Sequence, residues 1–144
     1  MRFKYILIIS MILLIGMSTC VASSQVTLSI GGKSFTIDDL SDKEIENIQG
    51  NGTSTITINS EDGKPLYMIT KATEETTILN ELLPEDNITT IEDNGITYQN
   101  IVFSDGTPSM TVFTTEDGSI YEIVYYNGND FLLDYKSIGS QLNQ

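Results

Sequence analysis

The chain has 144 residues, with 20 acidic against 7 basic side chains, a net charge of −13, no histidine, no tryptophan and a single cysteine. That composition excludes disulfide scaffolds, thiolate or imidazole metal sites and Cys–His catalysis. Only five basic residues, all lysines, follow Lys4, so the remainder sets them against all 20 carboxylates and carries about −15; a surface of that sign repels phosphate backbones and anionic lipid headgroups.

At the N-terminus, Arg2 and Lys4 precede an apolar run over residues 5–17 and a small-residue stretch over 18–24. A charged start, an apolar centre and a small-residue end read as an export signal. The organisation expected is therefore a signal peptide or membrane anchor over 1–23 and one α+β domain over 24–144. About 120 residues suffice for a single domain with its own core. The expected location is outside the cytoplasm, secreted or attached to the outer face of the cytoplasmic membrane.

Cys20 is a candidate for lipid attachment, because it follows the apolar run and small residues. Met17 and Thr19 fit that pattern poorly. Ordinary cleavage after Ala22 or Ser23 would discard Cys20, and retention of the segment as an anchor is the third reading.

Beyond the signal, Gly31-Gly32, Asn51-Gly52, Asp62-Gly63, Asn94-Gly95, Asp105-Gly106, Asp117-Gly118 and Asn127-Gly128 punctuate the chain. Such pairs tolerate the positive φ of tight hairpin turns. Val26, Leu28 and Ile30 alternate before the first, and Phe35 and Ile37 after it. Ile56 and Ile58 precede Asp62-Gly63, with Leu66 and Met68 beyond; Met110 and Val112 precede Asp117-Gly118. The pattern predicts antiparallel hairpins. Residues 119–126 are apolar on both alternating faces and are expected at the centre of the sheet.

Three helices are expected among the strands. Ser41-Asp-Lys-Glu44 reads as a capping box opening a short helix near 42–49, with Leu40 and Ile45 as a staple. Ile78, Leu79, Leu82 and Leu83 suggest a second from about Glu74 to Leu83, stopped by Pro84. Phe131, Leu132, Tyr135, Ile138 and Leu142 suggest a third from Asn129 or Asp130 to the end, weakened by Gly139. The fold class is α+β, an antiparallel sheet of about seven strands built from hairpins with about three helices packed on it.

The stretch from Gly63 to Leu142, especially residues 66–70, 78–83, 109–126 and 131–138, resembles small exported proteins with a PsbP-like arrangement, of the kind found among secreted or surface proteins of methanogenic archaea. The resemblance implies helices packed against a central antiparallel sheet. It brings no catalytic or ligand-binding motif.

Asn51-Gly-Thr53 and Asn87-Ile-Thr89 satisfy the N-glycosylation sequon, which makes Asn51 and Asn87 candidate modification sites. Tyr121, Tyr125 and Tyr126 form a candidate binding face, since tyrosine suits interfaces, although it also fills the rim of small cores. Adjacent carboxylates such as Glu61-Asp62, Glu92-Asp93 and Glu116-Asp117 lack the spacing of a calcium loop, and turn chemistry accounts for several of them. Calcium is the one cofactor the carboxylates suggest, and no residue pattern marks a metal, cofactor-binding or catalytic site. A nucleophile elbow and a Ser-x-x-Lys pair are both absent. The function expected is non-catalytic binding of an extracellular or envelope partner. Nucleic acid is not expected as a partner, and membrane contact only through the N-terminal segment or a lipid on Cys20. The alternatives are a small carboxylate-dependent hydrolase and a calcium-stabilised surface module.

Overall fold

The computed structural model describes residues 25–38, 40, 43–50 and 53–144. The segment expected to act as an export signal, Cys20 and Asn51 therefore lie outside the described residues.

The first two strands, β1 (Val26–Ile30) and β2 (Lys33–Ile37), make a separate antiparallel hairpin. Its turn is Gly31-Gly32, with φ of 55° and 83°, values that β-carbon-bearing residues rarely adopt. Val26, Leu28, Ile30, Phe35 and Ile37 all face inward and are buried. An isolated hairpin is marginal in water. This one is held because burying each such side chain is worth about 1.5–3 kcal/mol against the larger sheet.

That sheet has seven strands, all antiparallel: β3 (Glu44–Gly50), β4 (Thr53–Asn59), β5 (Pro65–Ala72), β6 (Asn87–Asp93), β7 (Ile96–Val102), β8 (Met110–Thr114) and β9 (Ile120–Tyr125). The spatial order is β3-β4-β5-β9-β8-β7-β6. Two meanders are thus joined along β5 and β9, where Tyr67 pairs with Tyr125 and Ile69 with Ile123. The last strand in sequence is central, as its two apolar faces suggest, and all six of its residues are buried.

One face of the sheet carries the main core. Ile56, Ile69, Phe113, Tyr121 and Ile123 lie beneath the β1–β2 hairpin and a C-terminal helix, α1 (Tyr135–Leu142). A second cluster of Ala72, Ile101, Val112 and Ile120 lies on the opposite face. It is covered by Ile78, Leu79 and Leu82 from the 73–86 connection, a strap that takes the chain from β5 in mid-sheet to β6 at the edge.

Two of the three expected helices are absent. The helix expected near 42–49 is β3, paired from Glu44↔Asn59 to Gly50↔Thr53. Pairing with the β-branched run of β4 outweighs the local helical pattern. The helix expected over 74–83 is a single 3-10 turn, Ile78–Glu81. Thr76, Thr77 and Ile78 are stiff β-branched residues, and Pro84 disfavours helical geometry at Leu83. The terminal helix does exist but begins at Tyr135, after Asp134 caps it by accepting a 3.2 Å hydrogen bond from the Ser137 amide. The segment before it is irregular because Asn127 and Phe131 adopt φ of 55° and 59°.

No helix among the described residues is long and apolar enough to cross a membrane.

Candidate functional site

A cleft of about 680 Å³ opens where the end of β2, the β4–β5 turn and the approach to α1 meet. Its walls come from distant parts of the chain: Thr36 and Asp38, then Ser60 and Tyr67, then Leu132 and Ser137. Each wall is fixed by identifiable bonds.

On the β2 side, the Gln141 carboxamide pairs with the Thr36 backbone as a neighbouring strand would. Its Oε1 accepts from the Thr36 amide at 2.8 Å and its Nε2 donates to the Thr36 carbonyl at 3.1 Å. This ties α1 to the open edge of β2. On the other side, the Asn127 carboxamide donates to the Pro65 carbonyl at 2.6 Å, and the Tyr126 amide donates to the Leu66 carbonyl at 2.9 Å. Those two bonds hold the 126–133 segment against the start of β5.

The positive φ at Phe131 then decides what the cleft presents. It turns the Phe131 ring inward onto Tyr125, with centroids 5.1 Å apart. Leu133 is buried as well, whereas Leu132 between them points outward and is 69% exposed. The half-buried Tyr67 sits edge-on to Tyr125 at 6.1 Å. Burial pushes the Tyr67 hydroxyl above its ordinary range, and nearby Lys43 offsets part of that. The charged lining groups are Asp38, Lys43 and Asp134. The cleft therefore combines an exposed leucine and a tyrosine with hydroxyl, amide and mixed charged groups. Its lining is more polar than apolar, whereas a small-ligand site usually has a mostly apolar floor with a few polar groups.

A second polar constellation is sealed beneath α1. Thr111 Oγ1 donates to Asn100 Oδ1 at 2.7 Å and lies 2.6 Å from the Tyr125 hydroxyl, while Asn100 Nδ2 donates to the Tyr135 hydroxyl at 3.1 Å. Thr111, Asn100 and Tyr125 are all buried. These bonds satisfy polar groups in the core and leave the network without access to a ligand.

On the opposite face, the buried Glu122 anchors the strap. One carboxylate oxygen accepts from the Thr77 hydroxyl at 2.8 Å and from the Ile78 amide at 2.7 Å. The Thr77 hydroxyl in turn accepts from the Leu79 amide at 3.4 Å. Farther along, Asp86 accepts from the Leu83 amide and from both the amide and hydroxyl of Ser104. These bonds hold its carboxyl below the usual carboxylate range, the Ser104 amide contributing most.

Of the tyrosines expected to form a binding face, Tyr121 and Tyr125 do share one side of β9. That side is the core side, and they are 0% and 1% exposed. Tyr121 stacks on Phe113 at 5.4 Å, and its hydroxyl has no hydrogen-bond partner among the described residues. Tyr126, just past the strand, is half-buried. The aromatic residue at the cleft is instead Tyr67, and the exposed apolar one is Leu132. The sequence offered a cue to neither, because their meeting depends on the β5–β9 pairing.

Asn87 begins the edge strand β6 and is exposed. The turn aspartates bond within their own turns, Asp105 accepting from the Thr107 amide and Asp117 from the Ser119 amide, each at 3.0 Å, and Asp117 also pairs with Lys33 of β2 at 2.9 Å. Among the described residues no three His, Cys, Asp or Glu side chains are placed to hold one metal ion. No protein family, curated protein or solved structure matches the chain.

Proposed function

We propose that this chain is an exported, acidic, non-catalytic binding module that recognises its partner at the cleft between β2, the β4–β5 turn and α1. Export rests on the N-terminal sequence, with its basic start, apolar run and small-residue end. The observation that carries the binding reading is Leu132. A side chain 69% exposed, held outward between two inward-facing neighbours, adds one apolar contact to a concave, largely polar site. Such a site suits a ligand with an apolar edge for Leu132 and Tyr67 and hydrogen-bonding groups for Ser60, Asn129 and Ser137. A pair of carboxylates working as acid and base is not part of this reading.

The test is an amide NMR titration of the domain with a panel of monosaccharides and short uncharged peptides, run in parallel on Leu132→Asp. Binding at the cleft would move the resonances of Tyr67, Leu132 and Ser137 together, and the variant would abolish the shifts while keeping its dispersed spectrum. Shifts confined to another surface, or equal in the variant, would overturn the reading.

A further inference from the structure

We propose that Asn87 carries an N-linked oligosaccharide that shields the uncharged half of the edge strand β6. The proposal rests on the export reading, since the modifying enzymes work on the far side of the membrane that an export signal crosses.

β6 is the last strand of the seven-stranded sheet on its side, with no strand beyond it among the described residues. A long exposed edge presents a row of amides and carbonyls that can pair with another chain, and proteins blunt such edges with charge. β6 carries charge only in its second half, at Glu92 and Asp93. Its first half, Asn87–Thr90, is uncharged, and all four of its residues are exposed. Exposed apolar side chains surround that half: Leu83 at 51%, Ile88 at 38% and Val102 at 47%. Three of the four exposed large apolar residues among those described therefore lie around the stretch that lacks charge.

The sequon occupies this stretch. Asn87 and Thr89 are two apart on a strand, so both project from one face, and both are exposed. Asn87 pairs directly with Val102 on β7. Directly opposed side chains have Cβ atoms about 4.5–5.5 Å apart, so the first sugar on Asn87 Nδ2 would lie over Val102. The glycan would cover apolar surface and block approach to the edge together.

In the modification, the Asn87 carboxamide nitrogen attacks the anomeric carbon of a polyprenyl-phosphate-linked oligosaccharide. A C–N bond forms as the C–O bond to the lipid phosphate breaks. The lipid phosphate leaves with the electron pair, and the nitrogen gives up one proton to the transferase base. Asn51-Gly-Thr53 follows β3, the opposite edge strand, and the argument does not depend on it.

The experiment is glycopeptide mass spectrometry on the full chain recovered from its producing cells, with envelope, medium and cytoplasm taken separately. The expected result is one oligosaccharide on the Asn87 peptide of the exported form, lost in both Asn87→Gln and Thr89→Ala and retained in Thr89→Ser. An exported form with an unmodified Asn87 overturns the glycan while leaving export standing. Recovery from the cytoplasm alone overturns both. Shielding is read separately by light scattering across a concentration series. The glycosylated protein should stay monomeric while Asn87→Gln associates, and adding Thr90→Lys to Asn87→Gln should restore the monomer. A monomeric Asn87→Gln would remove the shielding role.

Discussion

Tyr98 and Gly139 are packed against each other with no room for a methyl group between them. A Cβ at Gly139 would lie 2.7 Å from Tyr98 Cε1 and 2.9 Å from Cζ, and closer still to the hydroxyl. Gly139 therefore lets α1 settle onto the sheet, and its low helix propensity is the cost of that approach.

Gly139→Ala should destabilise the domain despite a helix-propensity gain of up to about 1 kcal/mol, because overpacking a core costs roughly 1–3 kcal/mol. Urea unfolding checks it, through a lower midpoint at unchanged slope. Combining it with Tyr98→Phe should relieve only part of the loss, since the ring carbons still clash. A non-additive double-mutant cycle is therefore expected.

Removing the Glu122 carboxylate should loosen the strap before it weakens the sheet. Glu122→Ala leaves the Ile78 amide and Thr77 hydroxyl without their acceptor, a loss of about 1–3 kcal/mol. Hydrogen exchange should quicken at Ile78 and Leu79 with little change across β4. Glu122→Gln keeps one acceptor oxygen and should fall between the wild type and the alanine variant.

Alkaline pH should destabilise the fold through Tyr98. Burial, with Asp93 adding to it, pushes its hydroxyl up to about 12, whereas an exposed tyrosine ionises near 10. The folded state thus holds a proton that the unfolded state has released. Stability is full below about pH 10 and declines as pH rises toward about 12. Tyrosinate absorbance and thermal melting, recorded together, should show part of the ionisation coinciding with unfolding. Tyr98→Phe should lessen the pH dependence across that window without abolishing it, because burial also pushes up the hydroxyls of Tyr67, Tyr121, Tyr125 and Tyr126.

Acid should act on Asp86 in the opposite sense. Its carboxyl is held below the ordinary value, so its contribution is present above about pH 4 and is lost as pH falls through the lowered value. Asp86→Asn should melt below the wild type at pH 6, and the gap should narrow as pH falls below about 4. Parallel curves across that range would contradict the assignment.

How far the chain could be read from its sequence varied with the range of the interactions. The β1–β2 and β8–β9 hairpins and the central place of β9 follow from turn pairs and alternation that act within about ten residues. β3 did not, because Ile45 and Ile48 are spaced as on a helix and Ser41 and Glu44 mimic a cap, while the deciding partner, β4, lies across the turn. The strap reads as a helix until Glu122, more than 40 residues later, is seen to take the amide of Ile78. The cleft was illegible for the same reason. Leu132 and Tyr67 look like ordinary apolar residues until Asn127 fastens the late segment to Pro65.

Placing the last strand at the centre also orders events in time. Until residue 125 is available, β3-β4-β5 and β6-β7-β8 are separate pieces, each with an inner edge waiting for β9. Contacts of such long sequence separation form slowly. A chain emerging N-terminus first would thus stay incompletely folded until almost all of it had been made.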